Sequence, residues 1–231
     1  LMDGVRPHSW YDRRDGHWIT ENKWPAELQH YCWHLQPSGI LGSLPSELST
    51  KVTSTQSCGG AAGEYCAIWL GPEMPDDQRA DDALSACFTS QVLGENFDII
   101  GSPTLKLKIS SDQPIAQIAV RLNHIHPDGA STRMTYGVLN LCHRNGHEVA
   151  RPLIPHKEYE VSLVLDQMAY RVPAGHQVRV AISPTYWPLL WPSPVPVELT
   201  LYAGEINIPV RPSGNRDERA FPTPETDQPW Q

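Results

Sequence analysis

Leu105-Lys106-Leu107-Lys108-Ile109 and, a turn later, Ile118-Ala119-Val120-Arg121-Leu122 alternate large apolar residues with polar or small ones. A period of two puts the apolar set on one face, which is the pattern of a strand with its other face wet. The same grammar returns at Tyr159, Val161, Leu163 and Leu165, at Val178, Val180 and Ile182, and at Val197, Leu199 and Leu201. Shorter strands are predicted at 86–89, 132–141, 168–172 and 206–210, with turn chemistry supplied by Pro127-Asp128-Gly129 and Asn145-Gly146. Parallel neighbours need long crossovers, so short strands with no long helix between them exclude a doubly wound sheet. The sequence therefore predicts an all-β protein, a jelly-roll β-sandwich with Greek-key connections. The 22 prolines among 231 residues, about twice the ~5% average, argue equally against long helices.

Outward from this block, residues 1–80 read as an irregular N-terminal arm with edge strands packed on the sandwich of residues 81–210. Trp10, Trp18, Trp24 and Trp33 are scattered among Asp, Arg and Pro with little alternation. Residues 29–35 are predicted as a strand, 44–50 as one helical turn capped by Ser43, and 58–63 as small and flexible. Residues 211–231, with four prolines, are expected to be extended or disordered. A net charge of −8 and no clustered Lys or Arg exclude a nucleic-acid binder. The long uncharged run 180–197 carries five prolines, which exclude a spanning helix, so no membrane partner is expected. No basic segment followed by an apolar one opens the chain, so no signal peptide is predicted. Five cysteines with no CxxC pair read as reduced thiols rather than a disulfide framework, which favours the cytoplasm.

No G-x-S-x-G occurs, so the strained turn that exposes a hydrolase serine is missing and no catalytic residue is assigned. His124-Ile125-His126 puts two imidazoles on one strand face, as in cupin metal sites, but no Glu follows. Pro173-Ala174-Gly175 runs straight into His176, with Val178 where the second cupin ligand should stand. Both halves of that pattern fail, so no metal and no cofactor are expected, and the histidines are read as satisfied by backbone or solvent. Tyr186-Trp187-Pro188-Leu189-Leu190-Trp191-Pro192 is a proline-stiffened apolar loop without periodicity. Trp187, Leu189, Leu190 and Trp191 are the candidate interface or substrate-entrance residues, and an exposed cluster of this kind favours self-association. Stacking of such tryptophans on sugar rings gives an alternative, a free-standing carbohydrate-binding β-sandwich.

From about Asp82 to Gly204 the chain resembles the C-terminal domain of the X-Pro dipeptidyl-peptidase and cocaine esterase-like (CocE/NonD) serine hydrolases. The landmarks, in order, are Phe88-Thr89-Ser90, Gly101-Ser102-Pro103, Ser110-Ser111-Asp112, Val120-Arg121-Leu122 with Pro127-Asp128-Gly129, and Gly137-Val138-Leu139 with Arg144. Pro173-Ala174-Gly175-His176, the segment 179–183, Trp187-Pro188 and Trp191-Pro192 complete the series. Residues 18–25 resemble the family's segment joining two domains. The resemblance implies a galactose-binding-like, non-catalytic accessory domain that buttresses a catalytic α/β-hydrolase domain of the same polypeptide. It also implies that the serine, histidine and aspartate of the triad lie in that other domain, where an ester or amide would be hydrolysed.

Overall fold

The structure is a computed structural model that describes residues 1–21, 23, 26–66, 68, 71–212 and 220–222. Thirteen strands are defined among them: β1 (Met2–Asp3), β2 (Gln29–Gln36), β3 (Ile40–Gly42), β4 (Thr50–Thr53), β5 (Ala86–Thr89), β6 (Phe97–Gly101) and β7 (Thr104–Ser111), then β8 (Gln117–Ile125), β9 (Ser131–Asn140), β10 (Tyr159–Val164), β11 (Met168–Val172), β12 (Gln177–Ser183) and β13 (Glu198–Val210). One four-residue helical turn, α1 (Arg79–Asp82), interrupts them. None of the described helices is long and apolar enough to cross a membrane.

The strands form a curled mixed sheet that folds over itself as an all-β sandwich. One layer holds β10, β7 and β13, with β4 and β2 side by side along the far edge of β13. The other layer runs β9-β8-β12-β5. Strand β3 joins the layers by pairing antiparallel with β2 and parallel with β5. The alternating residues meet in between: Leu105, Leu107 and Ile109 of β7 and Leu199, Leu201, Ile206 and Ile208 of β13 share one core with Val120 and Leu122 of β8 and Val178, Val180 and Ile182 of β12.

Five expectations are corrected. The predicted strands at Val197–Leu201 and 206–210 are parts of one 13-residue strand, whose register shifts between Leu201 and Ala203. The carbonyl of Tyr202 at that irregularity accepts the Leu48 amide, 2.9 Å away. Residues 44–49 run as a bend and irregular chain into β4, so no helical turn forms there despite Ser43. Strand β2 lies between β13 and β3 rather than at an edge. Finally, β8 has no wet face: Ala119, Arg121 and Asn123 are as buried as Val120 and Leu122. Ala62, Asp82, Ser85, Tyr186 and Leu190 pack on that side, and 58–63 is tied down beside them, since the amides of Gly59 and Ala61 donate to the Asp81 carboxylate at 2.8 and 3.1 Å.

All five cysteines are unpaired, with Cys58 and Cys142 buried. In the tail, Arg211 is buried and pairs with Glu21, and Phe221 meets Trp18 edge-on at 5.5 Å. Trp24, Pro25 and most of 213–231 lie outside the described residues.

Candidate functional site

Three groups of side chains stand out, two of them at places the sequence singled out. The first is the Trp loop. The Trp187 amide donates to the Cys58 carbonyl at 2.7 Å, which pins the loop, and the Leu190 amide closes a turn on the Tyr186 carbonyl at 2.8 Å. The pinning requires Gly59, which sits at φ 119°; a Cβ there would lie 2.0 Å from the Trp187 carbonyl oxygen. Leu190 turns inward and packs with Ala62, Ala119 and Tyr186 in a second small apolar cluster, against which Leu189 is half-buried. Trp187 and Trp191 face outward, 40% and 75% exposed, with their rings edge-to-face at 5.2 Å. A shallow depression between them and Gln56, Ser57, Pro192 and Pro194 completes an apolar patch. Of the four candidate residues, the two tryptophans supply this surface and Leu190 does not.

Beneath the loop lies a polar layer that sequence reading missed. Asp82 accepts from Arg121 and Asn123 on one oxygen (3.1 and 3.0 Å) and from Ser131 and Arg179 on the other (2.8 and 3.1 Å). Arg121 is wholly buried and its guanidinium lies 4.9 Å from the Tyr186 ring centroid. Tyr186 in turn donates to Gln78 at 2.6 Å and accepts from Arg133 at 2.9 Å, and burial raises its phenol pKa. The signal in the sequence was Arg121 in the middle of an apolar strand. A buried charge must be paired, and the partner comes from a distant helical turn.

The third group is the histidines. His124 lies near the end of β8, His126 follows directly after it with its ring stacked on that of His124, and the β11–β12 turn brings His176 against them. His124 Nε2 is 2.7 Å from His176 Nδ1, and His124 Nδ1 is 3.0 Å from the Tyr170 hydroxyl. His126 Nε2 is 3.1 Å from the Val5 carbonyl and 3.0 Å from the Thr132 hydroxyl. Burial, joined by the neighbouring imidazoles, pushes His124 down to about 3. Burial likewise lowers His126 and His176, so all three rings are neutral near pH 7. The expected backbone partner exists for His126, but His124 and His176 are satisfied chiefly by each other and by Tyr170. None of these partners is a serine, so the cluster is no part of a hydrolytic triad.

These elements define an all-β sandwich domain. The family described as the X-Pro dipeptidyl-peptidase C-terminal non-catalytic domain matches residues 3–228, and the chain belongs to that family. It is 23% identical over 188 residues to the cocaine esterase of Rhodococcus sp. (strain MB1 Bresler), an alignment covering 74% of this chain and 32% of the esterase. Among solved structures, an aminopeptidase from the marine sediment archaeon Thaumarchaeota archaeon superposes with a TM-score of 0.68 at 19% identity, over 83% of this chain and 38% of that one. An alpha-amino acid ester hydrolase superposes with a TM-score of 0.69 at 17% identity, over 78% and 36%. The chain thus spans about a third of the length of these relatives. The carbohydrate-binding alternative is not favoured by these findings.

Proposed function

We propose that this chain is the accessory part of a serine hydrolase, packing against an α/β-hydrolase-type catalytic domain of the same polypeptide and buttressing it. The observation that carries this reading is the family match over nearly the whole chain. The outward-facing Trp187 and Trp191 support a more specific role, in which their patch meets the catalytic domain and borders its substrate entrance, since pockets form preferentially at domain junctions. The bond-breaking step belongs to the partner domain: a serine forms an acyl-enzyme with an ester or X-Pro amide, and backbone N–H donors hold the oxyanion.

The 231-residue chain alone should hydrolyse neither nitrophenyl esters nor Xaa-Pro nitroanilides above buffer background. The complete polypeptide that contains it should hydrolyse one of the two. Serine labelling of the 231-residue chain by a fluorophosphonate, with activity that survives repurification, would refute the reading.

A further inference from the structure

We propose that His124, His126 and His176 form a three-imidazole site for a borderline divalent ion of the zinc or cobalt class, which fastens the N-terminal arm to the sandwich. One ligand nitrogen from each residue lies within 4.8 Å of the other two. The rings converge from the end of β8 and the turn before β12, so the site depends on the tertiary fold and not on a local motif.

The hydrogen-bond network fixes the lone pair of His126 and allows the matching one at His124. The Val5 carbonyl can only accept, and Thr132 spends its hydroxyl proton on that same oxygen at 2.8 Å. His126 Nε2 therefore carries the proton, which leaves Nδ1 as the donor atom toward an ion. At His124 the Tyr170 oxygen, which already takes the Val5 amide at 3.1 Å, can also accept from Nδ1–H. That tautomer frees Nε2, beside His176 Nδ1. Each of these two ligands then donates its other ring N–H to an oxygen, the outer-shell arrangement that orients metal-binding imidazoles. The 2.7 Å contact holds a proton on His176 Nδ1, directed at His124 Nε2, so ion binding shifts that proton to His176 Nε2 and leaves both facing nitrogens free to ligate.

Bonds of about 2.0–2.1 Å in a tetrahedral site set nitrogens about 3.4 Å apart, so the 2.7 Å contact between His124 and His176 must open by about 0.7 Å. His176 is the least buried of the three and stands on a turn, where such a shift is cheap. Three imidazoles leave the fourth position to water. The arm is already seated on the cluster: β1 pairs with β11, and a Cβ at Gly4 would lie 2.9 Å from His124 Cε1. The cupin spacing fails here because His176 lies two residues before the expected position. The turn, not the register of β12, delivers it.

The test uses the 231-residue chain stripped with a chelator and titrated with Co²⁺, then with Zn²⁺. One equivalent of Co²⁺ should give the visible ligand-field absorption of a four-coordinate ion, which Zn²⁺ displaces. Zinc at about a hundred times its dissociation constant should raise the melting temperature by roughly 5–10 °C. His176→Gln and His126→Asn, each checked for a native circular dichroism spectrum, should abolish the absorption, and Tyr170→Phe should weaken binding roughly 10–100-fold. No stoichiometric binding by the folded chain would overturn the proposal. So would binding that survives both histidine variants but is lost in Cys32→Ser, which would assign the ion to the exposed Cys32, His34 and Glu205 group.

Discussion

Asp82 takes hydrogen bonds from four side chains on three strands, and two of the donors are guanidinium groups. Arg121 is fully buried, so its charge is tolerable only while that carboxylate faces it. Asp82→Ala should therefore cost about 3–5 kcal/mol, the usual penalty for stranding one member of a buried pair. Urea unfolding monitored by Trp fluorescence measures it, and a loss under about 1 kcal/mol would mean that water or Asp81 takes over, Asp81 Oδ2 being 3.9 Å from Arg121 Nη1. Asp82→Asn keeps the shape and the acceptor oxygen, so it should cost less than the alanine variant. The sequence announced Arg121 as an oddity, polar in a run of apolar neighbours. It could not announce Asp82, because 39 residues separate the pair and no periodicity links them.

Strand β8 and the loop after β12 illustrate how an element takes its character from what lies over it. Alternation correctly located β8 and its core face, but it assigned the other face to water. Ala62, Asp82 and Ser85 lie on that face instead, and Leu190 descends from the Trp loop to pack there with Ala62, Ala119 and Tyr186. Within one heptapeptide, then, some apolar side chains stabilise the fold while others remain available for contact. Leu190→Ala should destabilise by about 2–5 kcal/mol in thermal or urea melts. Trp187→Ser combined with Trp191→Ser should leave the melting transition nearly unchanged while lowering self-association, as read by sedimentation velocity. A double variant that unfolds would place the tryptophans among the supports of the fold and remove the case for a docking patch.

At the scale of the whole molecule, the layers close only because distant parts of the chain complete them. Strands β2 and β4 line β13 along one edge, and Ala62, Asp82 and Ser85 pack on β8. A fragment limited to residues 81–210 would expose the edge of β13, strip Asp81 of the Gly59 and Ala61 amides and leave the Tyr186 hydroxyl without Gln78. It should accordingly lack near-UV circular dichroism and dispersed amide resonances, while the 231-residue chain has both. A native-like spectrum from the fragment would show that residues 1–80 decorate the sandwich and do not complete it. The sequence by itself determined the all-β class, because a period of two is a local property of neighbouring residues and needs no knowledge of what they meet. It likewise determined the absence of a nucleophile elbow, and its ordered short motifs pointed to the family. Only the tertiary structure decided that 197–201 and 206–210 are one bulged strand, that β2 is internal, and that Leu190 points in while Trp191 points out. It alone brought His176 to His124 and His126, since side chains far apart in sequence meet through chain reversal and layer packing, which local spacing does not encode.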